Sequence, residues 1–553
     1  MVANQSYNSE SKPLLGPRNQ DSRERNYPNF GTMNLPTQHD DDQLSDDEDC
    51  QPRCLNSWQL FCLTISMGGL QTIWTSIMSQ GSPYLSSLGM SPALISLVWL
   101  SGPISGMFIQ PIIGFLSDSC TYFLGPRRTF IVFGTITTSI FMLALPWTET
   151  IIRTMFLCFG WNETGANASA ATQFMAAMTI WALKISLQPV QCGIRALIVD
   201  YCPTDQQHQA SAYASRIIGF GSILGYASGF IDIPSLLPMF GETQFKGLCM
   251  VCCIALVATV TLQCLVIHEK RLGHNEGLQR RGECGIFGPF KQILVAAEAM
   301  PKRIWKICIV QFFAWLSWFS FMYYITTYIG DLYRQESYSF SQPTQIEATR
   351  LGTISMLSFA TTAFITNTIL PRFINAETPD SAQSLMSAPS KKRIYNLTLP
   401  RAWVIAHILT SVSFLLLGLT RSRWVATSLI AVLGISWALT QWAPFALIGE
   451  ELAKSRQQIP RYVPLRDSDD TFDLEKAPSL SGSQDDSQTA LILGLHNLAI
   501  SAPQIVAAVG SSLLFWTLEH TGIVGTDAIG WLFMFGVFPA GAAAWWAWKV
   551  EKG

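Results

Sequence analysis

Lys184, Gln188, Gln191 and Arg195 stand 4, 3 and 4 residues apart within an otherwise apolar run from Lys184 to Asp200, KISLQPVQCGIRALIVD. On a helix turning about 100° per residue these four share one face, while Ile185, Leu187, Val190 and Ile194 point elsewhere. Two cations and two amides on one face offer fixed charge and several hydrogen-bond donors to a polar ligand. A lipid environment forbids such a face unless a partner or a watery cavity receives it, so the stripe is read as a functional site. Other apolar stretches carry smaller versions of the same signal. Gln71, Trp74 and Met78 share a face, as do Gln311, Trp315 and Trp318; Trp437, Thr440, Gln441 and Trp442 cluster just before Pro444. An amide beside flat apolar surface suits a ligand rich in hydroxyl groups, although aromatics at helical spacing also build ordinary core. His496, with Asn497 beside it and Gln504 two turns on, gives one further stretch a polar face. Lys184 and His496 are the groups that could carry or replace a moving proton, and packing with one hydrogen bond is the favoured reading of His496. His407 is read as packing with one hydrogen bond.

The elements that must position these residues are membrane spans. The chain has 553 residues, 49% hydrophobic and only 13% charged, where a soluble protein carries about a quarter charged. The net charge of −2 argues against nucleic acid as a partner. Twelve stretches reach spanning length, centred near 57–82, 92–117, 127–147, 171–200, 208–233, 246–267, 303–328, 347–370, 401–420, 423–449, 489–518 and 526–548. The fold class is therefore all-α integral membrane. A polar tail over 1–55 is expected to be disordered, and a six-helix bundle over 56–267 follows it. A basic central loop over 268–302 leads to a second six-helix bundle over 303–548, interrupted by polar loops at 371–400 and 450–488, and 549–553 ends the chain.

Lysine and arginine counts orient the spans. With the N-terminus inside, the inner segments hold 26 of these residues and the outer loops 6, which makes both termini cytoplasmic. The sequons Asn162-Glu-Thr and Asn167-Ala-Ser fall in an outer loop on this reading and are candidate glycosylation sites. Cys249, Cys252 and Cys253 read as small core filler, because no further metal ligands accompany them in their span. No paired acids lie within a span, so the chain is not read as an enzyme, and no cofactor is implied.

Twelve spans in two sixes around a basic loop resemble the layout of the major facilitator superfamily, in which two halves rock about a midplane site. Gly114-Phe-Leu-Ser-Asp118 followed by Gly125-Pro-Arg127-Arg128 is similar to that superfamily's signature after the second span. The resemblance implies a gate in which Asp118 pairs with Arg127 or Arg128 when the carrier faces outward. LSGPISGMFIQPIIGFLSD (100–118), GSPYLSSLG (81–89), QCGIRALIVD (191–200) and SILGYASG (222–229) resemble the sucrose transporter family, the glycoside-type branch, and its fungal members in particular. That resemblance covers the first half by motif and the second by layout. It implies uptake of sucrose or related α-glucosides coupled to proton entry, with Arg195 matching the family's substrate-binding arginine. An integral protein of the plasma membrane or the vacuolar membrane is expected, working as a monomer in the bilayer.

Two departures bear on the coupling. The acid that plant members carry eleven residues before the arginine is Lys184 here, and the span-one acid of animal and fungal relatives is Ile77. Lys184 is open to three readings: a fixed charge, a proton shuttle, or a snorkelling side chain. Its depth of roughly 20 Å by helical rise favours a fixed charge in the cavity. Arg216 is expected to pair with Asp200. An uncoupled facilitator, a carrier of another small solute and a non-transporting nutrient sensor stand as alternatives.

Overall fold

The computed structural model describes residues 54–118, 120–203, 206–269, 300–337, 344–374, 397–458 and 480–552. The disorder expected of the tail up to 53, most of the central loop, and the interiors of the other two polar loops lie outside the described residues. Helices occupy every stretch of spanning length. They are α1 (Ser57–Ser87), α2 (Pro92–Val98), α3 (Ser101–Asp118), α4 (Pro126–Ala144), α5 (Thr148–Cys158), α6 (Ala166–Tyr201), α7 (Gln207–Phe230), the single turn α8 (Ile233–Leu236) and α9 (Gln244–Val266). After the central loop come α10 (Lys302–Ser337), α11 (Gln345–Ile369), α12 (Leu399–Leu419), α13 (Arg423–Gln458), α14 (Leu480–His520) and α15 (Thr526–Glu551).

Among the described residues, ten of these helical segments are long and apolar enough to cross a membrane by length and composition alone. The two expected spans that fall short are α7 and α11, both rich in glycine, serine, threonine and alanine. These two pack on each other. Small residues let helix backbones approach closely where lipid gives no hydrophobic drive to associate.

Packing partners fall into two sets. In the first, α1 lies against α7 and α9, and α6 against α3 and α4; in the second, α15 lies against α10 and α12, and α11 against α10 and α13. The sets meet through α7 with α11, α1 with α10, and α14 with α2 and α3.

Local chemistry sets several helix ends. Asn56 and Gln59 form a capping box at α1, Thr344 and Glu347 another at α11, and Thr398 caps α12 with Pro400 in its first turn. Leu55 is tied by its backbone N–H and carbonyl to the side chain of Gln206, so ordered chain begins ahead of α1.

Three boundaries differ from the sequence reading. The second span is broken between α2 and α3 at Trp99–Leu100, because Pro103 has no N–H to give the carbonyl of Trp99, and its ring would crowd that carbonyl. The loop expected after the third span is helical over 148–158, beyond a 3-10 turn at Leu145–Trp147 that holds Pro146. The polar loop expected over 450–488 is shortened at both ends, because α13 runs to Gln458, with Glu450 and Glu451 paired to Arg303, and α14 starts at Leu480.

The α1–α7 contact depends on missing side chains. A Cβ on Gly221 would lie 2.6 Å from the backbone oxygen of Gly68, which cannot swing away. We expect Gly221→Val to destabilise the detergent-solubilised protein by about 1–3 kcal/mol, the usual cost of overpacking, read as a lower melting temperature. Gly449, with nothing within 4 Å of its would-be Cβ, is the control: Gly449→Ala should leave the melting temperature unchanged or raise it.

Candidate functional site

Lys184 lies in the middle of α6 and is completely buried. Its Nζ sits 3.9 Å from the ring centroid of Trp74 on α1, 5.7 Å from Trp99 and 5.9 Å from Tyr323 on α10. Among the described residues that ammonium has no hydrogen-bond partner. Sequence placed this charge on a water-lined cavity wall; the structure instead shuts it under three aromatic rings.

The break between α2 and α3 is what makes the enclosure possible, because it turns Trp99 across α1. A Cβ on Gly81 would stand 2.5 Å from the Trp99 ring, and the indole Nε1 donates to Ser82 Oγ at 3.0 Å. Trp99 also stacks on Tyr323 at 4.3 Å, so the lid over Lys184 is the seam between the two helix sets. A desolvated cation over an aromatic face gains about 2 kcal/mol. Three N–H groups without acceptors cost at least as much, so the arrangement is satisfied only in part.

The rest of the stripe opens gradually toward the Asp200 end of α6. Gln188 is buried and its Nε2 donates to Ser105 Oγ at 3.0 Å and to the Lys184 carbonyl at 3.1 Å. Gln191 is half-buried and Arg195 is exposed. Arg195 is thus the accessible end of the stripe. His496 is buried, its Nε2 finds no partner among the described residues, and its ring meets Phe445 edge-on at 4.9 Å. Asn497 Nδ2 donates to Gln110 Oε1 on α3 at 3.2 Å, joining the two sets.

The aromatic stripes divide between core and wall. Gln311 is buried and its Nε2 donates to the Thr440 carbonyl at 3.1 Å, while its Oε1 has no partner. Trp318 is core, packed against Phe321, Phe414 and Trp437. Trp315, edge-on to Trp437 at 5.5 Å, stays half-buried, as do Gln441, Trp442 and Gln71. His407 is buried against Trp403, and neither ring nitrogen finds the hydrogen bond expected of it. Cys252 and Cys253 donate to the carbonyls of Thr72 and Ser139 within the helix packing.

At the Asp200 end, Arg127 Nε pairs with Asp200 at 2.7 Å and Arg127 Nη1 donates to Ser117 Oγ at 3.0 Å. Asp200 thus takes Arg127 rather than Arg216, whose guanidinium lies 6.0 Å from the Tyr213 ring. Arg128 donates to the Cys264 carbonyl at 2.6 Å. The Asp118 side chain, expected as a gate partner, lies outside the described residues. Glu269, just beyond α9, accepts from the backbone N–H groups of Arg127 and Arg128, and burial pushes its carboxyl above the usual range. In the second set Arg303 pairs with Glu450 and Glu451 at 3.4 and 3.2 Å.

The opposite end, which carries Asn162 and Asn167, is where the sets are tied together. Arg350 pairs with Asp232 at 2.7 Å, Gln80 Nε2 donates to Thr353 Oγ1 at 3.1 Å, and the Tyr324 hydroxyl meets Ser96 Oγ and the Pro92 carbonyl. The structure is closed at this sequon end. Trp99, Tyr323, Gln110 and Glu269 were not picked out from sequence. Gln110 beside Pro111 in the second-span motif was the one visible signal among them; the others depend on which helices face each other.

Residues 60–458 match the model of the Major Facilitator Superfamily. The chain is 29% identical to the general alpha-glucoside permease of Schizosaccharomyces pombe, over 89% of this chain and 93% of that one. It is 26% identical to the sucrose transport protein SUC4 of Arabidopsis thaliana, over 80% of this chain and 81% of the relative. Among solved structures, a D-xylose-proton symporter superposes with a TM-score of 0.52 at 13% identity, covering 89% of this chain and 97% of that one. A bacterial homologue of the lysosomal transporter Spinster gives 0.54 at 11% identity, covering 90% and 97%. At such identities these two speak for the fold alone. Motif, fold and the match over most of its length agree that the chain belongs to the major facilitator superfamily, in which its sequence is similar to α-glucoside and sucrose carriers.

Proposed function

We propose that this chain carries sucrose or a related α-glucoside across a membrane by alternating access, with Arg195 holding substrate hydroxyls. The observation that carries the reading is the position of Arg195. It is exposed on the helix face that also carries Gln188 and Gln191, and α14, the helix of His496, is bonded to α3 through Asn497 and Gln110; on this reading a ligand held at Arg195 touches both helix sets. A guanidinium and two amides match the acceptors and donors of a sugar. The names of the relatives, an alpha-glucoside permease and a sucrose transport protein, support the same substrate class. Gln71, Gln191, Trp315 and Gln441, all half-buried, are the further wall residues of this proposal.

Proton coupling belongs to the proposal with His496 as its carrier. Uncoupled passage is the second reading, favoured by the cation at Lys184. The 26 to 6 bias of basic residues supports cytoplasmic termini, and the reading takes the two six-helix halves, 56–267 and 303–548, to act as a monomer in the plasma membrane. On this reading Asn162 and Asn167, both exposed, lie outside the cell.

Radiolabelled sucrose or maltose should enter reconstituted vesicles, and an imposed inward proton gradient should accelerate uptake. Flux indifferent to the gradient selects the uncoupled reading, and no flux of any disaccharide sinks the assignment. Arg195→Gln removes charge-assisted hydrogen bonds worth about 1.5–3 kcal/mol, so uptake efficiency should drop about tenfold to a hundredfold; unchanged uptake would take Arg195 out of the site. Orientation has its own check in two exposed free cysteines, Cys54 and Cys158. An impermeant maleimide on intact cells should label Cys158 and reach Cys54 only after permeabilisation, and the reverse pattern would invert the topology.

A further inference from the structure

Lys184 closes under Trp74, Trp99 and Tyr323 with its Nζ fully buried and without an acceptor among the described residues, and the lid over it is a contact between the two helix sets. Parting the sets at the sequon end separates Trp99 from Tyr323 and exposes the ammonium to water. Closing them strips that water away and returns only ring faces. The next polar group along the face, Gln188, turns its amide N–H donors to the Lys184 carbonyl and to Ser105 rather than offering the ammonium a bond. Water satisfies three N–H donors; aromatic faces satisfy a charge but not three directional donors.

We propose that Lys184 is a conformational coupling residue: its ammonium penalises closure of the empty carrier at the sequon end, and a ligand whose oxygen atoms accept hydrogen bonds from it removes the penalty. The empty carrier therefore rests with the sequon end open, and a polyhydroxylated ligand pulls it shut. The bias itself is independent of which ligand is carried. The response to sugar rests on the reading given under Proposed function.

The test measures the position of the equilibrium rather than transport. Gln80 is buried at the closed sequon end, where it bonds to Thr353 across the seam, and it lies outside the substrate wall. A Gln80→Cys variant in lipid discs is treated with a small polar thiosulfonate, and modification is timed on the peptide carrying position 80. With Lys184 present, modification in the absence of sugar should be fast, and saturating sucrose or maltose should slow it at least tenfold. Adding Lys184→Met, an isosteric neutral change that keeps the rings packed, should slow the sugar-free reaction at least tenfold and abolish most of the sugar effect. Lys184→Arg should retain the fast sugar-free reaction, which a merely structural role for the position would not predict. Equal sugar-free rates with lysine and methionine overturn the proposal. If the two rates differ but neither sugar alters them, the bias stands and the sugar assignment is what fails.

Discussion

A charged ammonium enclosed by aromatic rings at a seam between two helix sets is the constraint around which the rest of this molecule is arranged. The enclosure needs a break in the second span to swing Trp99 inward, a glycine at position 81 to admit its ring, and a tyrosine from the opposite set to complete the lid. None of these is dictated by membrane insertion alone. Each is a local cost, a broken helix or a missing side chain, that makes sense once the charge must be covered and uncovered. The interior of a membrane protein tolerates such a group only where it bears on function.

The same logic separates the two ends. At the sequon end the ties cross between the sets, through Arg350 and Asp232, Gln80 and Thr353, and Tyr324 with Ser96. At the Asp200 end Arg127 pairs with Asp200 inside the first set, and Arg303 with Glu450 and Glu451 inside the second. The stripe on α6 follows this division, from a sealed lysine through a bonded glutamine to an accessible arginine. One helix face thus runs from a dry seam to an exposed end. In the proposed cycle the same residues would exchange these environments as the seam parts.

The architecture was largely legible because lipid imposes long apolar runs and satisfied backbones, and both leave plain patterns in sequence. All twelve runs became helices, and the spacing of Lys184, Gln188, Gln191 and Arg195 did put one face to use. What remained hidden depends on which helix meets which. Nothing in the local sequence says that Trp99 lies against Tyr323, more than two hundred residues away, or that Asp200 takes Arg127 instead of Arg216. Lys184 illustrates the limit well. Its depth argued against snorkelling, but a cavity and an aromatic cage are equally consistent with depth, and only the packing decides between them.

Whether the sequon-end seam must part for transport is the claim on which the account rests. A Cβ built on Gly229 of α7 lies 2.8 Å from Thr353 Cγ2 and 3.7 Å from Thr353 Oγ1 on α11, within reach of a disulfide across the seam. The direct measurement is disaccharide uptake by the Gly229→Cys, Thr353→Cys double variant under oxidising and reducing conditions, with the single variants as controls and cross-linking quantified by mass spectrometry. The account predicts that oxidation abolishes uptake in the double variant alone and that reduction restores it. Full uptake through a completely cross-linked seam would contradict it.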